Sequence, residues 1–73
     1  MKSILDLSID EEAQIDSIDP DHDFAFRLSQ LGVTIGQKVK LLGYAPFGDP
    51  VRILVHETVL GIRKKDAARI FLL

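Results

Sequence analysis

The segment "YAPFGDPVRI" (residues 44–53) constrains the fold most, because a strand pattern lies on each side of it. In residues 38–42 and again in residues 51–55, apolar and polar side chains alternate, as they do in strands that bury one face. The residues that share the predicted inner face are Val39, Leu41, Val51, Ile53 and Val55. Two such strands in succession predict an antiparallel hairpin, with the proline-containing segment as its connection.

The chemistry of this connection is that of a turn. Pro46 has no N–H to donate to a sheet ladder and so ends the first strand, while Pro50 holds Asp49 extended as the second strand begins. Gly48 supplies a backbone angle that other residues rarely adopt. Turn geometry does not require an aromatic side chain at Phe47, which therefore either folds back onto the protein or contacts a partner. Phe47 is our leading single-residue candidate for partner contact.

The residues before the hairpin predict one strand and one short helix. Weak alternation predicts a strand over residues 11–18, and the turn-forming sequence "DPDHD" follows it. In the next segment, "DFAFRLSQLG", the apolar residues Phe24, Leu28 and Leu31 recur at the spacing of one helix face. Asp23 is the predicted N-cap of this helix. The helix is short, so we expect the core that it covers to stabilise it.

The remaining elements complete the predicted order. Gly32 is expected to end the helix in a left-handed conformation, and Gly36 suggests a second such position. After the hairpin, "TVLGIR" predicts a strand with Leu60 and Ile62 inward, joined to the previous strand by residues 56–57. "KKDAAR" then predicts one helical turn, and "IFLL" a closing strand. The order β, α, β, β, β, short helical turn, β predicts a mainly β fold with a short helix, a small closed barrel.

Length and composition limit the functions that the chain can have. It has 73 residues, no cysteine and a net charge of −2 at pH 7. The lack of cysteine excludes a disulfide framework, a thiolate zinc site and an iron–sulfur cluster. The negative charge argues against general nucleic-acid binding, and no apolar run is long enough for a secretory or membrane-spanning segment. We expect one domain over residues 1–73, cytoplasmic and without direct membrane insertion.

Three sequence blocks carry a family resemblance. "RLSQLGVTIGQKV", "YAPFGDPVRI" and "GIRKKDAARI" follow one another between Arg27 and Ile70. Their order and spacing resemble the ferrous iron transport protein A (FeoA) family, with its "RLxxLGxxxGxxV" and "APxGDPxxI" blocks. The structural-motif residues that match are Gly32, Gly36, Ala45, Pro46, Gly48, Asp49 and Pro50. The family usually has a glycine turn before its first strand, a turn that Ile9 and Asp10 occupy in this chain.

The resemblance implies a fold and a function. The fold would be an SH3-like small β-barrel. The function would be that of a non-catalytic cytosolic protein that docks on the cytoplasmic portion of a membrane GTPase transporter of ferrous iron, without a cofactor, and that regulates or assembles it. A related SH3-like domain ends the iron-dependent repressors of the diphtheria toxin repressor type. The alternative is therefore a free-standing SH3-like regulatory domain that binds a divalent metal or a metal-dependent transcription regulator.

The residues themselves give little sign of catalysis. The chain has no GxxxxGK[ST] phosphate-binding loop. None of its serines has a histidine at a spacing that predicts a nucleophile and its base. We therefore expect no enzymatic activity.

Two groups of residues are candidates for contact with a protein partner. Leu42, Tyr44 and Leu54 fall on strand positions opposite the predicted core, where they form an apolar patch unless the helix or the N-terminal segment covers them. Lys64 and Lys65 belong to the basic run "RKK", which is either a solvated rim or a contact for an acidic partner.

A metal site and self-association are the remaining alternatives. His22 lies among aspartates, a mixture of imidazole and carboxylate ligands that Fe(II) accepts. The same residues are also those of an ordinary solvated turn, which makes His22 a weak candidate ligand. A free sheet edge near "IFLL" would let a second copy pair with the chain, giving a homo-oligomer.

Overall fold

The computed structural model describes residues 2–73, and their five strands form one antiparallel sheet. The strands are β1 (Glu12–Ile18), β2 (Lys38–Tyr44), β3 (Val51–Val55), β4 (Thr58–Ile62) and β5 (Ile70–Leu72). Helix α1 (His22–Gln30) lies between β1 and β2, and helix α2 (Lys64–Ala67) between β4 and β5. The strands are hydrogen-bonded in the order β4-β3-β2-β1-β5. The element order predicted from the sequence is therefore confirmed.

One hydrophobic core joins residues from all parts of the fold. The five residues predicted to face inward from the hairpin strands are all buried. The other buried apolar residues are Ile4, Leu7, Ile15, Phe24, Leu28, Val33, Ile62, Ala67, Ile70 and Leu72. Leu60 is only partly buried and packs against this core. The alternation in the sequence thus identified the buried face of the sheet.

The end of β2 departs from the predicted alternation. The β2–β3 register shifts between Leu41 and Gly43, and Tyr44 lies directly opposite the buried Val51. An extra residue in one strand moves the residues that follow it to the other face. The prediction that Tyr44 shares a face of the strand with Leu42 is therefore wrong, although the Tyr44 side chain is 39% exposed.

The first turn of α1 is capped by a different aspartate from the one predicted. The Asp21 carboxylate accepts a hydrogen bond from the Phe24 N–H at 3.1 Å. Asp19 in turn accepts a hydrogen bond from the Asp21 N–H at 3.0 Å. Asp21 has the spacing from Phe24 that an N-cap side chain needs. The prediction of Asp23 as the cap is wrong, since Asp23 lies within the helix.

The end of α1 corrects a second detail of the predicted helix. Gly32 has a φ of 85°, so the left-handed conformation expected there is confirmed. This conformation turns the chain back, and the Val33 N–H bonds to the Leu28 carbonyl at 2.9 Å. Val33 is buried, whereas Leu31 is 51% exposed. Leu31 was predicted to share the buried helix face, which is wrong because the helix ends before it.

The turn before β1 explains how the chain manages without the family's glycine. Asp10 has a φ of 70°, in the left-handed region that glycine adopts without cost. Aspartate is among the non-glycine residues that are enriched there. The Asp10 N–H also donates to the Leu41 carbonyl at 2.7 Å, which ties this turn to β2.

An N-terminal turn that the sequence analysis did not predict closes one end of the core. Ile4–Asp6 forms a 3₁₀ turn in which the Ser3 side chain accepts from the Leu5 N–H and the Asp6 side chain accepts from the Ser3 N–H. This is the reciprocal arrangement of a capping box. Ile4 is completely buried.

The same N-terminal segment covers the last strand. Ser3 forms a β-bridge with Phe71, and the Lys2 carbonyl accepts a hydrogen bond from the Leu72 N–H at 2.8 Å. The β5 edge near "IFLL" is therefore not free, contrary to the expectation from the sequence. In residues 2–73, the sheet order leaves β4 as a strand with a neighbour on one side only. No helix in that range has the length and apolarity needed to cross a bilayer.

Candidate protein-binding surface

The β2–β3 connection presents an almost fully exposed aromatic side chain. The turn is closed by hydrogen bonds from the Ala45 N–H to the Pro50 carbonyl at 2.9 Å and from the Gly48 N–H to the Ala45 carbonyl at 2.7 Å. Phe47, between them, is 99% exposed. Of the two alternatives that the sequence left for Phe47, folding back onto the barrel is therefore excluded.

The aspartate of this turn joins it to α2. The Asp49 carboxylate accepts a hydrogen bond from the Lys64 N–H at 3.0 Å, at the first residue of that helix. The Asp49–Pro50 peptide bond is cis. A carboxylate at a helix N-terminus satisfies a free backbone donor and interacts favourably with the helix dipole. Asp49 therefore has a structural function, since it holds α2 beside the hairpin.

Lys64 completes a small group of side chains at this end of the barrel. Its Nζ lies 5.6 Å from the centre of the Tyr44 ring, within the range of a cation–π interaction. A Cβ built at Gly48 would lie 3.2 Å from the same Nζ. The structure thus brings together residues that the sequence analysis had placed in separate groups. We call Tyr44, Phe47, Gly48, Asp49 and Lys64 the tip cluster.

Replacing Gly48 with valine is expected to lower the free energy of unfolding by about 1–2 kcal/mol, because Gly48 has a φ of 87° and a β-branched residue is strained there. The measurement is chemical denaturation. The double variant Gly48→Val/Lys64→Ala is the control, since it removes the close contact with Nζ but not the backbone strain. If Gly48→Val has the same free energy of unfolding as wild type, the turn does not require a left-handed conformation at this position.

The other two apolar candidates do not belong to the tip cluster. Leu54 lies on the outer face of the sheet, directly opposite Lys40 on one side and Val59 on the other. Leu42 lies at the irregularity in β2. Both leucines are only partly exposed, whereas Val59 is exposed. The sequence analysis did not name Val59 as a candidate contact residue, because only the inward residues of β4 were considered.

Lys65, the residue of α2 that follows Lys64, lies in a groove. This groove, of about 400 Å³, is bounded by α1, by the end of β4 and by α2. Its charged lining residues are Arg27, Arg63, Lys65, Asp66 and Arg69. The lining therefore has an excess of positive charge. The basic run was predicted as a rim or as a contact for an acidic partner, and the structure adds Arg27 from α1 to it.

Arg69 is held by the aspartates that precede α1. Its Nε lies 3.2 Å from Asp19 Oδ2 and its Nη2 lies 3.5 Å from Asp21 Oδ2, while the guanidinium carbon lies 3.9 Å from the centre of the Phe24 ring. The side-chain hydrogen bond from Arg69 lowers the pKa of Asp19. The hydrogen bond from the Phe24 N–H is the main cause of the lowered pKa of Asp21.

These interactions decide the role of the aspartates around His22. Asp19 and Asp21 are engaged by Arg69 and by backbone N–H groups. His22 is exposed at the start of α1. Within residues 2–73, no group of three or more histidine, cysteine or acidic residues is placed to hold a metal ion. The segment is a capping and ion-pairing turn, and the geometry does not support His22 as part of a metal site.

The network of Arg69, Asp19 and Asp21 is expected to make stability depend on pH. The folded-state pKa of each aspartate is lowered, so its contribution is fully present above the ordinary value of 3.8 and is lost as the pH falls through the folded-state pKa. We expect the Tm difference between wild type and Arg69→Met to be largest near neutral pH and to shrink below about pH 4. Thermal melts from pH 7 to pH 2 measure it. A difference independent of pH would assign the effect to packing on Phe24 alone.

Comparison with known proteins agrees with the sequence resemblance. The FeoA domain family matches residues 2–72. The FeoA protein of Chlorobium tepidum is 28% identical, with a TM-score of 0.88, and the match covers 97% of this chain and 68% of that protein. Stenotrophomonas maltophilia FeoA, complexed with zinc, is 23% identical over 100% of this chain and 91% of that protein, with a TM-score of 0.83. That protein is described as a prokaryotic SH3 domain protein suggested to act as a ferrous iron transport activating factor.

The same fold occurs within a larger protein of another class. The manganese regulator SloR is 15% identical and has a TM-score of 0.84, and the match covers 99% of this chain but 34% of the regulator. Similarity at this level of identity concerns the fold alone. No curated protein matches the chain. Together the comparisons confirm the SH3-like barrel that the family resemblance implied.

Proposed function

This chain belongs to the FeoA family, and from that premise we propose that it is a non-catalytic accessory protein of a ferrous iron uptake system. It acts in the cytoplasm, without a cofactor and without binding nucleic acid or inserting into the membrane. It docks on the cytoplasmic portion of a membrane GTPase that transports ferrous iron, and it regulates or assembles that transporter.

The observation that carries this proposal is the exposure of Phe47 at the end of a braced hairpin. An aromatic side chain that is 99% exposed contributes nothing to the core. The turn hydrogen bonds around it and the bond from Lys64 to Asp49 hold the surrounding backbone in place. A turn whose backbone is already held in place loses little backbone freedom when its aromatic side chain enters a pocket on a partner. This favours a docking function for the tip cluster.

The acidic groups whose pKa values are lowered do not have the properties of a general acid or base. The carboxylates with lowered pKa values are Asp19, Asp21 and Glu11. The pKa of Glu11 is lowered chiefly by a hydrogen bond from the Ser8 N–H, in the turn before β1. All three carboxylates are therefore charged at neutral pH and occupied by turn, cap or ion-pair contacts. A general acid or base would need a pKa near the working pH and an open position beside a substrate.

The second candidate function is the alternative that the sequence resemblance left open, and the likeness to the manganese regulator supports it only through the shared fold. A free-standing domain of this fold would bind a metal-dependent transcription regulator or a divalent metal. The genes beside the coding sequence discriminate between the two candidates. A neighbouring gene for a large GTPase with membrane spans favours the first, and a neighbouring winged-helix regulator favours the second.

Co-purification of the affinity-tagged protein with the detergent-solubilised transporter tests the proposal. We expect the two proteins to elute together, and a strain that lacks the small protein to take up less ferrous iron. Re-expression of the wild-type protein is the control for the deletion. The absence of association, combined with normal uptake in the deletion strain, would reject the function.

A further inference from the structure

We propose that the groove between α1, the end of β4 and α2 binds an extended acidic segment of a partner protein. The identification of that partner as the transporter rests on the proposed function above, whereas the recognition chemistry rests on the groove itself. The groove adjoins the end of the barrel that carries the tip cluster, because Lys64 faces Tyr44 while the next residue of α2, Lys65, lines the groove. A partner that contacts Phe47 can therefore extend along the groove.

Charge is the first argument for an acidic ligand. Arg27, Arg63 and Lys65 line the groove, and none of the ion pairs formed within residues 2–73 involves them. Arg69 is paired with Asp19 and Asp21, whose two negative charges exceed its single positive charge by one, and Asp66 supplies one opposing charge in the lining. The protein as a whole has a net charge of −2, so this positive surface is local. Such a patch attracts and orients carboxylates while the rest of the surface repels them.

The free edge of the sheet is the argument for an extended segment. Val55 and Thr58 flank the two-residue turn between β3 and β4, a position that is closed by a hydrogen-bonded pair. Hydrogen-bonded and non-hydrogen-bonded pairs alternate along an antiparallel ladder, so Gly61 and Arg52, three positions further from the turn, form a non-hydrogen-bonded pair. The backbone N–H and C=O of Gly61 therefore point away from β3. Gly61 is exposed and lines the groove. Its N–H and C=O are available to a strand added beside β4.

Leu31, at the side of the groove, supplies the apolar contact that such a segment needs. Phe24 and Ile62 are buried at the base of the groove, and Leu31 is 51% exposed at the side of α1. Leu31 is exposed because α1 ends at Gln30, just before it. Its side chain therefore lines the groove and does not pack in the core. A ligand with acidic side chains and one or two apolar residues satisfies both surfaces.

The test uses a short glutamate-rich peptide with leucines, titrated into the isotope-labelled protein and followed by backbone amide shifts. We expect shifts at Arg27, Leu31, Gly61 and Lys65, and weaker binding at high salt. A peptide with lysine in place of glutamate should produce none of them. In the variant Arg27→Glu/Lys65→Glu, affinity for the acidic peptide should fall by at least about tenfold.

The variant Lys38→Glu/Arg52→Glu is the matched control, because it makes the same change in net charge at exposed positions of β2 and β3 outside the groove. The inference would be overturned if the groove variant bound the acidic peptide as tightly as wild type, or if both variants lost affinity equally. It would also be overturned if the peptide caused no amide shifts, or shifts only outside the groove. The same variants, tested with the solubilised transporter, separate the two proposals. Transporter binding that survives Arg27→Glu/Lys65→Glu rejects the groove as the contact for the transporter and leaves the accessory function. Peptide binding in the groove without transporter binding, combined with normal iron uptake in the deletion strain, rejects the accessory function alone.

Discussion

Replacing Ile4 with alanine is expected to lower the free energy of unfolding by about 2–5 kcal/mol, the usual cost of truncating a buried aliphatic side chain. Ile4 is 0% exposed and belongs to the single core cluster. Its position is fixed by the capping box of Ser3 and Asp6 and by the hydrogen bond from Leu72 to Lys2. Because these contacts hold the N-terminal segment in place, it cannot shift to fill the cavity that the substitution leaves.

The size of the domain makes this cost severe. Domains of this length bury only about 60% of the surface of the unfolded chain, so their total stability is small. We expect Ile4→Ala to be largely unfolded at 37 °C, as measured by chemical denaturation and circular dichroism. Ile9→Ala is the matched control, because Ile9 is 60% exposed and the same substitution there should change stability by less than about 0.5 kcal/mol. Equal effects of the two substitutions would contradict the role of the N-terminal turn.

The sequence predicted those parts of the fold in which a local pattern repeats. Residues 38–41 and 51–55 alternate over several positions, and the structure buries the predicted face of both. Gly32 and Gly36 were assigned left-handed conformations, and both have a positive φ. In each case the physical cause acts on the residue itself or on its nearest neighbours. Local rules are sufficient for such features.

The errors occur where the outcome depends on contacts between distant segments. Tyr44 lies on the face opposite to the predicted one because the β2–β3 register is irregular, which alternation alone does not reveal. Gly43 was a possible signal of this irregularity. The N-terminal turn has no apolar period, and its value comes from packing against the core. The spacing of Ser3 and Asp6, a capping-box pattern, was the signal that could have found it.

The candidate site was predicted in its members but not in its arrangement. Tyr44, Phe47 and Lys64 were all named from the sequence, on three separate grounds. Their proximity depends on the hydrogen bond between Asp49 and the Lys64 N–H, which joins residues fifteen positions apart. No local pattern indicates such a contact. Asp49, in the second of the three blocks that carry the resemblance, thus joins the hairpin to α2, and the adjacent Phe47 side chain stays exposed.

Replacing Phe47 with alanine is expected to weaken binding to the solubilised transporter by about thirtyfold or more, the loss that is typical of an aromatic hot spot at the centre of an interface. The stability of the free protein should change by less than about 0.5 kcal/mol, because the side chain is 99% exposed and contributes no core contact. Affinity is measured with the immobilised transporter, and stability by chemical denaturation of the free protein.

Phe26→Ala is the matched control for this substitution. Phe26 lies on α1, is 57% exposed, and belongs neither to the tip cluster nor to the lining of the basic groove. If general surface hydrophobicity drives association, the two substitutions will weaken binding equally, and the tip is then not a specific contact. If Phe47→Ala alone weakens binding without loss of stability, the affinity resides in the one residue of the turn that turn geometry does not require.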